Sequence, residues 1–157
     1  MFEGQSTHVL DAKGRLCIPK RIQEQLTRTE TGQLLCVVTR GFDGCLNLFA
    51  KETFDAVRAN LATDPFVTPR KRRMQRLVFP NTVTAQLDSS GRLLIPEKLK
   101  KLAGLDREVV IVGVADRAEI WNTERWERFE EEFEKEFDEL DGALGGGASG
   151  DEEQSAL

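Results

Sequence analysis

The strongest constraint on the fold is a ten-residue segment that occurs twice in the chain. LDAKGRLCIP at residues 10–19 returns as LDSSGRLLIP at residues 87–96. Both copies contain Asp, three further residues, Arg, an apolar run and Pro, and they lie 77 positions apart. Because chance rarely repeats a turn, a charge pair and a strand end in register, the segment indicates duplication of one small module.

The duplication continues downstream, where the apolar runs at 34–38 and 46–49 have counterparts at 109–114 and 118–121. Each copy spans about 45 to 50 residues, close to the size below which a lone domain buries too little apolar surface to stay folded. We therefore expect the two copies to share one core. The predicted organisation is repeat 1 at 5–54, a linker with a basic helix at 55–81, repeat 2 at 82–126, the continuation of an acidic amphipathic helix at 127–141, and a disordered tail at 142–157.

Each copy predicts a strand, a tight turn, a returning strand and a helix that follows the proline. Asp suits the start of such a turn through local hydrogen bonds, and Gly supplies positive φ without steric cost. We expect a helix at Pro69–Val78 and another that begins at Asn122 or Thr123. The predicted elements of the two copies are strands at 7–10 and 15–18 with a helix at 20–26, and strands at 82–87 and 92–95 with a helix at 97–103.

The last helix carries one aromatic stripe along an otherwise acidic surface. Such a stripe is typical of core packing or of a subunit interface. Its members recur at spacings of three or four and are Trp126, Phe129, Phe133, Phe137 and Leu140.

The net charge of −5 taken alone argues against a nucleic-acid partner, but the charge is unevenly distributed. Residues 1–123 hold 19 Lys and Arg against 14 Asp and Glu, whereas residues 124–157 hold 3 against 13. The acidity therefore belongs to the C-terminal part, and the part that carries the repeats is basic. Such a surface can attract phosphate despite an acidic pI.

The residue types do not indicate an enzyme or a metal-binding protein. The one histidine, His8, lies in a predicted strand, and we expect it to be structural. Cys17, Cys36 and Cys45 have no zinc-finger spacing, and we expect them to be buried free thiols. No stretch approaches the roughly 20 apolar residues of a membrane span. We expect no enzyme activity, no metal, no cofactor, no small-molecule substrate and no membrane contact.

Binding is the better supported class, because both turns present cations beside a stiff strand. Arg can bind phosphate bidentately or read guanine, and Lys adds point charge to a backbone contact. The candidate DNA-binding residues are Lys13, Arg15, Lys20, Arg21 and Arg92. Alternatively, Asp11 with Arg15 and Asp88 with Arg92 form local ion pairs that close the turns. Both readings hold together if each Asp orients the Arg that touches DNA.

The basic run in residues 70–76 is equally open to two readings. It could contact phosphates, or it could dock against the acidic terminal helix. Because the opposite charge is supplied by the same chain, docking is slightly favoured.

The chain resembles the MraZ family from residue 1 to about residue 140. The resemblance lies in the opening residues 1–4, in the two Asp-x-x-x-Arg segments at 10–19 and 87–96, and in Gly104, Leu105 and Trp121. It implies tandem SpoVT/AbrB-type modules, an α+β fold in which interleaved hairpins from both copies form one small β-barrel with flanking helices. It also implies a bacterial regulator at the promoter of the division and cell-wall gene cluster, including its own gene.

The resemblance further implies a homo-oligomeric ring that binds repeated promoter boxes in double-stranded DNA, in the cytoplasm and at the nucleoid. The motif positions carried over are Asp11 and Arg15, and Asp88 and Arg92. The second turn has Ser90 where the first has Lys13, so we expect the first copy to make the stronger DNA contact. The alternative is a ring-forming scaffold whose turns contact a protein rather than DNA.

Overall fold

The computed structural model describes residues 1–62 and 66–141 of the chain. It divides into two compact units, one of residues 1–123 and one that begins at Glu124. The tail predicted to be disordered, 142–157, lies outside the described residues. Within those residues, no helix combines the length and the apolar character that a membrane span needs.

The first unit is built from nine strands and four α-helices in the described ranges, and is therefore an α+β structure. A 3₁₀ turn at Phe79–Asn81 precedes the sixth strand. The strands are β1 (Gln5–Val9), β2 (Arg15–Cys17), β3 (Thr27–Arg28), β4 (Leu34–Arg40), β5 (Leu46–Phe49), β6 (Thr82–Gln86), β7 (Arg92–Leu94), β8 (Glu108–Val114) and β9 (Arg117–Asn122). The helices are α1 (Lys20–Gln23), α2 (Lys51–Leu61), α3 (Pro69–Val78) and α4 (Glu97–Ala103).

The two copies are interleaved within one antiparallel sheet of seven strands. The strand order is β1-β8-β9-β5-β4-β3, and β6 also pairs with β4. The first strand of each copy thus pairs with a long strand of the other copy, β1 with β8 and β6 with β4. The β5–β9 pair joins the copies at the middle of the sheet. Neither copy can complete its sheet without the other.

The strands that return from the signature turns form a separate two-stranded ribbon, in which β2 pairs with β7. Leu16 and Leu93 lie opposite each other in this ribbon, and neither is exposed to solvent. Both belong to a single hydrophobic cluster that contains β-strand and helix residues of both copies. The shared core expected from the size of each repeat is therefore present.

The helix ends follow from the residues that bound them. α4 begins directly after Pro96 and ends at Gly104, whose φ of 59° is the left-handed conformation that glycine adopts without steric cost. α3 begins at Pro69, where the missing N–H costs nothing, and the Thr68 hydroxyl accepts a hydrogen bond from Lys71 N at 3.3 Å. Both helices have the predicted bounds.

Two predictions of local structure are wrong. α1 ends at Gln23 rather than at Leu26, because Gln25 N and Leu26 N bond to carbonyls three residues back and not four, which makes the continuation a series of tight turns. Cys17 is exposed rather than buried, because in β2 it shares the outer side with Arg15 while Leu16 points inward. Cys36 and Cys45 are buried free thiols, as expected.

The second unit contains α5 (Thr123–Glu139), which begins at Thr123 in the first unit. The aromatic stripe is present along it: the Trp126 and Phe129 rings stack at 5.7 Å, and Phe129 meets Phe133 at 4.9 Å. Phe137 is 68% exposed and Leu140 is 48% exposed. The far end of the stripe therefore faces solvent in the single chain.

Candidate nucleic-acid interface

The first signature turn is closed by the Asp11 carboxylate. Its Oδ1 accepts hydrogen bonds from the backbone N–H groups of Lys13 and Arg15, both at 2.9 Å. Its Oδ2 accepts from Arg15 Nε at 2.7 Å. Gly14 completes the turn at φ 81°, a conformation that L side chains rarely adopt.

The second turn repeats this geometry almost without change. Asp88 Oδ1 accepts from the backbone N–H groups of Ser90 and Arg92 at 2.9 Å, and Oδ2 accepts from Arg92 Nε at 2.8 Å. Gly91 has φ 77°. The ion pair predicted as the structural reading of each motif is thus present in both copies.

The ion pairs leave part of each guanidinium available. Hydrogen bonds from the Arg15 backbone are the largest of the causes that lower the Asp11 pKa, and those from Arg92 do the same for Asp88. Both groups therefore remain carboxylates at neutral pH. Each Arg uses Nε for this bond, and within the described residues its two terminal nitrogens bond no other group. The carboxylate holds the guanidinium in place while its outer edge stays free.

The ribbon brings the two turns together on one surface. Ile95 N, directly after β7, donates to Gly14 O of the first turn at 2.9 Å. Ile18 N, directly after β2, donates to Gly91 O of the second turn at 3.0 Å. Each turn is therefore bonded to the chain that follows the second strand of the other copy. Because side chains alternate along a strand, the inward leucines place the other ribbon side chains on the outer side. The outward side chains are Arg15, Cys17, Arg92 and Leu94.

The interleaving also places the helix of each copy beside the turn of the other copy. A side-chain carbon built at Gly14 would lie 3.7 Å from Lys100 Cδ of α4, and one built at Gly91 would lie 2.4 Å from Gln23 Nε2 of α1. Lys100 and Gln23 occupy equivalent positions, 77 residues apart. The first turn is therefore flanked by a cation and the second by an amide.

Sequence reasoning noted Lys98, Lys100 and Lys101 after the second turn but did not place Lys100 among the candidate DNA-binding residues. The signal available in the sequence was this group of lysines in α4, which follows the second turn along the chain. Only the pairing of β2 with β7 shows that Lys100 lies beside the first turn.

The remaining candidates differ in how they are held. Lys13 at the first turn and Lys20 at the start of α1 are exposed. Arg21 instead bonds to Glu3 O and Ser6 Oγ at 3.0 Å each, with a longer bond of 3.4 Å to Ile111 O. The structure therefore gives Arg21 a role in fastening the N-terminal strand, whereas its contact with DNA stays a prediction.

His8, like Arg21, forms a hydrogen bond with Ser6 of the N-terminal strand. Its Nε2 lies 2.7 Å from Ser6 Oγ, and burial, followed by the charge of Arg21, lowers its pKa below 6.5. The His8 imidazole is therefore protonated less readily in the folded chain than in the unfolded chain. Stability conferred by the neutral imidazole is complete above about pH 6.5 and is lost as the pH falls below that value.

We expect the urea midpoint of unfolding to be lower at about pH 5.5 than at about pH 8, and the difference to shrink in His8→Gln. Asp11 and Asp88 titrate well below this window, since their pKa values are lowered from 3.8. An unchanged difference in His8→Gln would assign the pH dependence to other groups.

Among residues 1–62 and 66–141, no three His, Cys, Asp or Glu side chains come together as a metal site. The cations of α3 lie on a helix without acidic residues in its first turn. Whether they bind phosphate or the acidic helix stays a prediction.

Comparison with known proteins identifies the family. The model of the family described as "MraZ protein, putative antitoxin-like" matches residues 1–77 and again residues 78–144. Proteins from Lactobacillus helveticus and Pediococcus pentosaceus are 38% and 41% identical over 140 residues, which cover 89% of this chain and 94% of each relative. A protein from Methylococcus capsulatus is 38% identical over 133 residues, covering 85% of this chain and 86% of its own. All three are named transcriptional regulator MraZ, a name for a regulator and not for an enzyme. The chain belongs to the MraZ family.

Proposed function

We propose that this chain is a transcription regulator that binds double-stranded DNA in a sequence-specific manner through the outer side of the β2–β7 ribbon. The observation that carries the proposal is that one ribbon holds both Asp–Arg turns, each Arg fixed through Nε and free at its outer edge. A two-stranded ribbon fits the major groove of B-DNA, where Arg pairs with guanine O6 and N7. An arginine already held by a carboxylate loses less freedom when it binds.

Within this interface the first turn makes the stronger contact with DNA. Arg15 is accompanied by Lys13 in its own turn and by Lys100 from the other copy, whereas Arg92 has Ser90 and Gln23 at the equivalent positions. Lys13, Lys20 and Lys100 supply phosphate contacts that position the ribbon without reading sequence. Arg21 is a further candidate DNA contact, and it also holds the N-terminal strand.

The assembly that acts on DNA is a homo-oligomeric ring, and its targets are repeated promoter boxes. One turn with a few cations binds DNA nonspecifically, with a dissociation constant of about 10⁻⁴ to 10⁻⁶ M at physiological salt. Several ribbons on one assembly convert weak contacts into avidity and read the spacing of the boxes. The exposed aromatic residues at the end of α5 support the existence of a subunit interface.

The family resemblance supplies the target and the finer architecture of the proposal. The target is the promoter of the division and cell-wall gene cluster, including the gene of this protein, and the site of action is the cytoplasm at the nucleoid. The exchange of strands between the copies supports a SpoVT/AbrB-type barrel built from both sets of hairpins.

The proposal predicts specific, salt-dependent binding of the purified protein to the DNA upstream of its own gene. If Lys13, Lys20 and Lys100 each neutralise one phosphate, affinity per protomer should fall about 40-fold between about 50 mM and 200 mM salt. Fluorescence anisotropy with labelled DNA measures this, and a scrambled duplex of equal length and composition is the control.

Equal binding to both duplexes, or an affinity insensitive to salt, would contradict the proposal. A stoichiometric protein partner that co-purifies with the chain in the absence of specific DNA binding would instead favour the scaffold alternative. Sedimentation at micromolar concentration tests the ring separately, since a monomer there contradicts the assembly.

A further inference from the structure

The ribbon that carries the two Asp–Arg turns has an apolar centre on its outer side. Leu94 of β7 is 59% exposed there, and Cys17 of β2, at the equivalent position 77 residues earlier, is exposed as well. In the register of the ribbon Leu94 lies opposite Arg15. Cys17 lies opposite Arg92 in the same way. Each of these two side chains therefore stands next to the arginine of the other copy.

Leu94 has a fixed position at the first turn. The backbone directly after it is bonded to this turn, since Ile95 N donates to Gly14 O at 2.9 Å. A side-chain carbon built at Gly14 would lie 3.9 Å from Leu94 Cδ1, an ordinary van der Waals distance. The leucine is thus held beside the turn although more than half of the residue is exposed.

Cations surround this leucine. Arg15 lies opposite it, Lys13 stands in the adjoining turn, and Lys100 Cδ would lie 3.7 Å from the same carbon built at Gly14. A partner for this surface must therefore present negative charge around an apolar group. The major groove of DNA has this arrangement, because phosphates line its edges and the C5 methyl group of thymine lies on its floor.

The spacing of the ribbon also fits neighbouring bases. The Cβ atoms of residues directly opposite each other in an antiparallel pair are about 4.5 to 5.5 Å apart. Successive bases of one DNA strand are about 3.4 Å apart along the helix axis. When Arg15 pairs with guanine, the side chain opposite it therefore reaches the edge of an adjacent base pair. On that edge thymine alone presents a methyl group.

We propose that Leu94 is a specificity-determining residue of the DNA interface, and that it contacts the C5 methyl group of a thymine next to the guanine bound by Arg15. Because it rests on the proposed DNA-binding function, this contact adds to the target a base that the arginines do not recognise. Cys17 at the equivalent position has the smaller side chain and lies beside Arg92, so the thymine contact belongs to the first turn.

Replacement of thymine by uracil tests the contact, because uracil lacks only this methyl group and pairs in the same way. The duplex upstream of the gene and a scrambled duplex are each prepared with thymine and with uracil, and affinities are measured by fluorescence anisotropy. We expect the wild-type protein to bind the promoter duplex at least about threefold more weakly in the uracil form, since burial of one methyl group contributes a factor of about four. The scrambled duplex should bind equally in both forms.

Two variants and a control assign the preference to one side chain. Leu94→Ala should bind the thymine and uracil forms of the promoter duplex equally. Leu94→Met keeps an apolar side chain of similar volume and should retain most of the preference. Leu77→Ala is the matched control, because Leu77 is 47% exposed and lies in α3, outside the ribbon. Its preference for thymine should equal that of the wild type.

The outcomes separate this contact from the proposed function. If the wild type prefers the promoter duplex over the scrambled duplex but binds its thymine and uracil forms equally, DNA binding stands and the Leu94 contact is overturned. A thymine preference that survives in Leu94→Ala also overturns the contact, because the methyl group would then act through another residue or through DNA shape. So does a preference that is lost in Leu77→Ala. If the wild type does not distinguish the promoter duplex from the scrambled one, the proposed function and the contact fail together.

Discussion

Arg15→Ala should abolish specific DNA binding while leaving the fold intact. Loss of one bidentate contact to guanine costs about 1 to 3 kcal/mol, or roughly 5- to 150-fold in affinity per protomer, and the loss multiplies where several ribbons bind one DNA. The fold should lose no more than about 1 kcal/mol, because an exposed ion pair contributes little and the backbone bonds to Asp11 remain. Anisotropy with specific and scrambled duplexes measures the first effect, and urea unfolding measures the second.

Arg92→Ala is the matched control, because its turn has the same geometry. We expect a smaller loss of specific affinity, since Arg92 stands beside Ser90 and Gln23 where Arg15 has Lys13 and Lys100. Arg15→Lys should keep most of the salt dependence and lose most of the discrimination, because an ammonium is a point charge and cannot form the bidentate fork. Equal damage from the two Ala variants would show that the copies contribute alike, and no loss from either would remove the ribbon from the interface.

The local structure of the repeats was accessible from sequence because short-range chemistry determines it. An Asp that bonds to the following backbone N–H groups, a Gly at positive φ and a Pro that ends the strand specify the turn wherever they occur. The same reasoning gave α4 its bounds, with Pro96 before it and Gly104 after it. The two turns agree to within 0.1 Å in their Asp–Arg distances, 2.7 and 2.8 Å.

The pairing of strands between the copies could not be predicted from local chemistry in the same way. Nothing in the residues of β1 distinguishes a partner in its own copy from one in the other, because both long strands are apolar and equally suitable. This long-range choice decides that Lys100 lies beside the first turn and that Asn47 of β5 lies opposite Glu119 of β9. The Asp–Arg contacts within each turn were therefore predictable from the sequence, whereas the neighbours that the other copy supplies to each turn were not.

The exposure of Cys17 illustrates a related limit. Its apolar neighbours predict burial, but a three-residue strand in a ribbon has only one inward position, and Leu16 occupies it. A ribbon covered by the core on one side must expose its other side. Cys17 and Leu94 are therefore outward for the same reason that Arg15 and Arg92 are.

The interleaved core also predicts a large loss of stability from a single truncation in the ribbon. Leu16→Ala and Leu93→Ala should each lower the free energy of unfolding by about 2 to 5 kcal/mol, the cost of removing buried methyl groups and leaving a cavity. Both leucines are fully buried and directly opposite each other. A domain of this size has a total stability of about 5 to 15 kcal/mol, so either change removes a large fraction of it.

The double variant tests whether the two copies contribute to one hydrophobic core. The two side chains pack in the same part of the core. The loss of unfolding free energy in the double variant Leu16→Ala with Leu93→Ala should therefore differ from the sum of the two single losses by at least about 0.5 kcal/mol. Urea unfolding at one protein concentration, followed by far-UV circular dichroism, should give one transition for every variant. Leu94→Ala is the control, since this neighbour is 59% exposed and should change stability by no more than about 0.5 kcal/mol. Two separate transitions, or a cost confined to the copy that carries the change, would mean that each repeat folds on its own, which is incompatible with a core built from both.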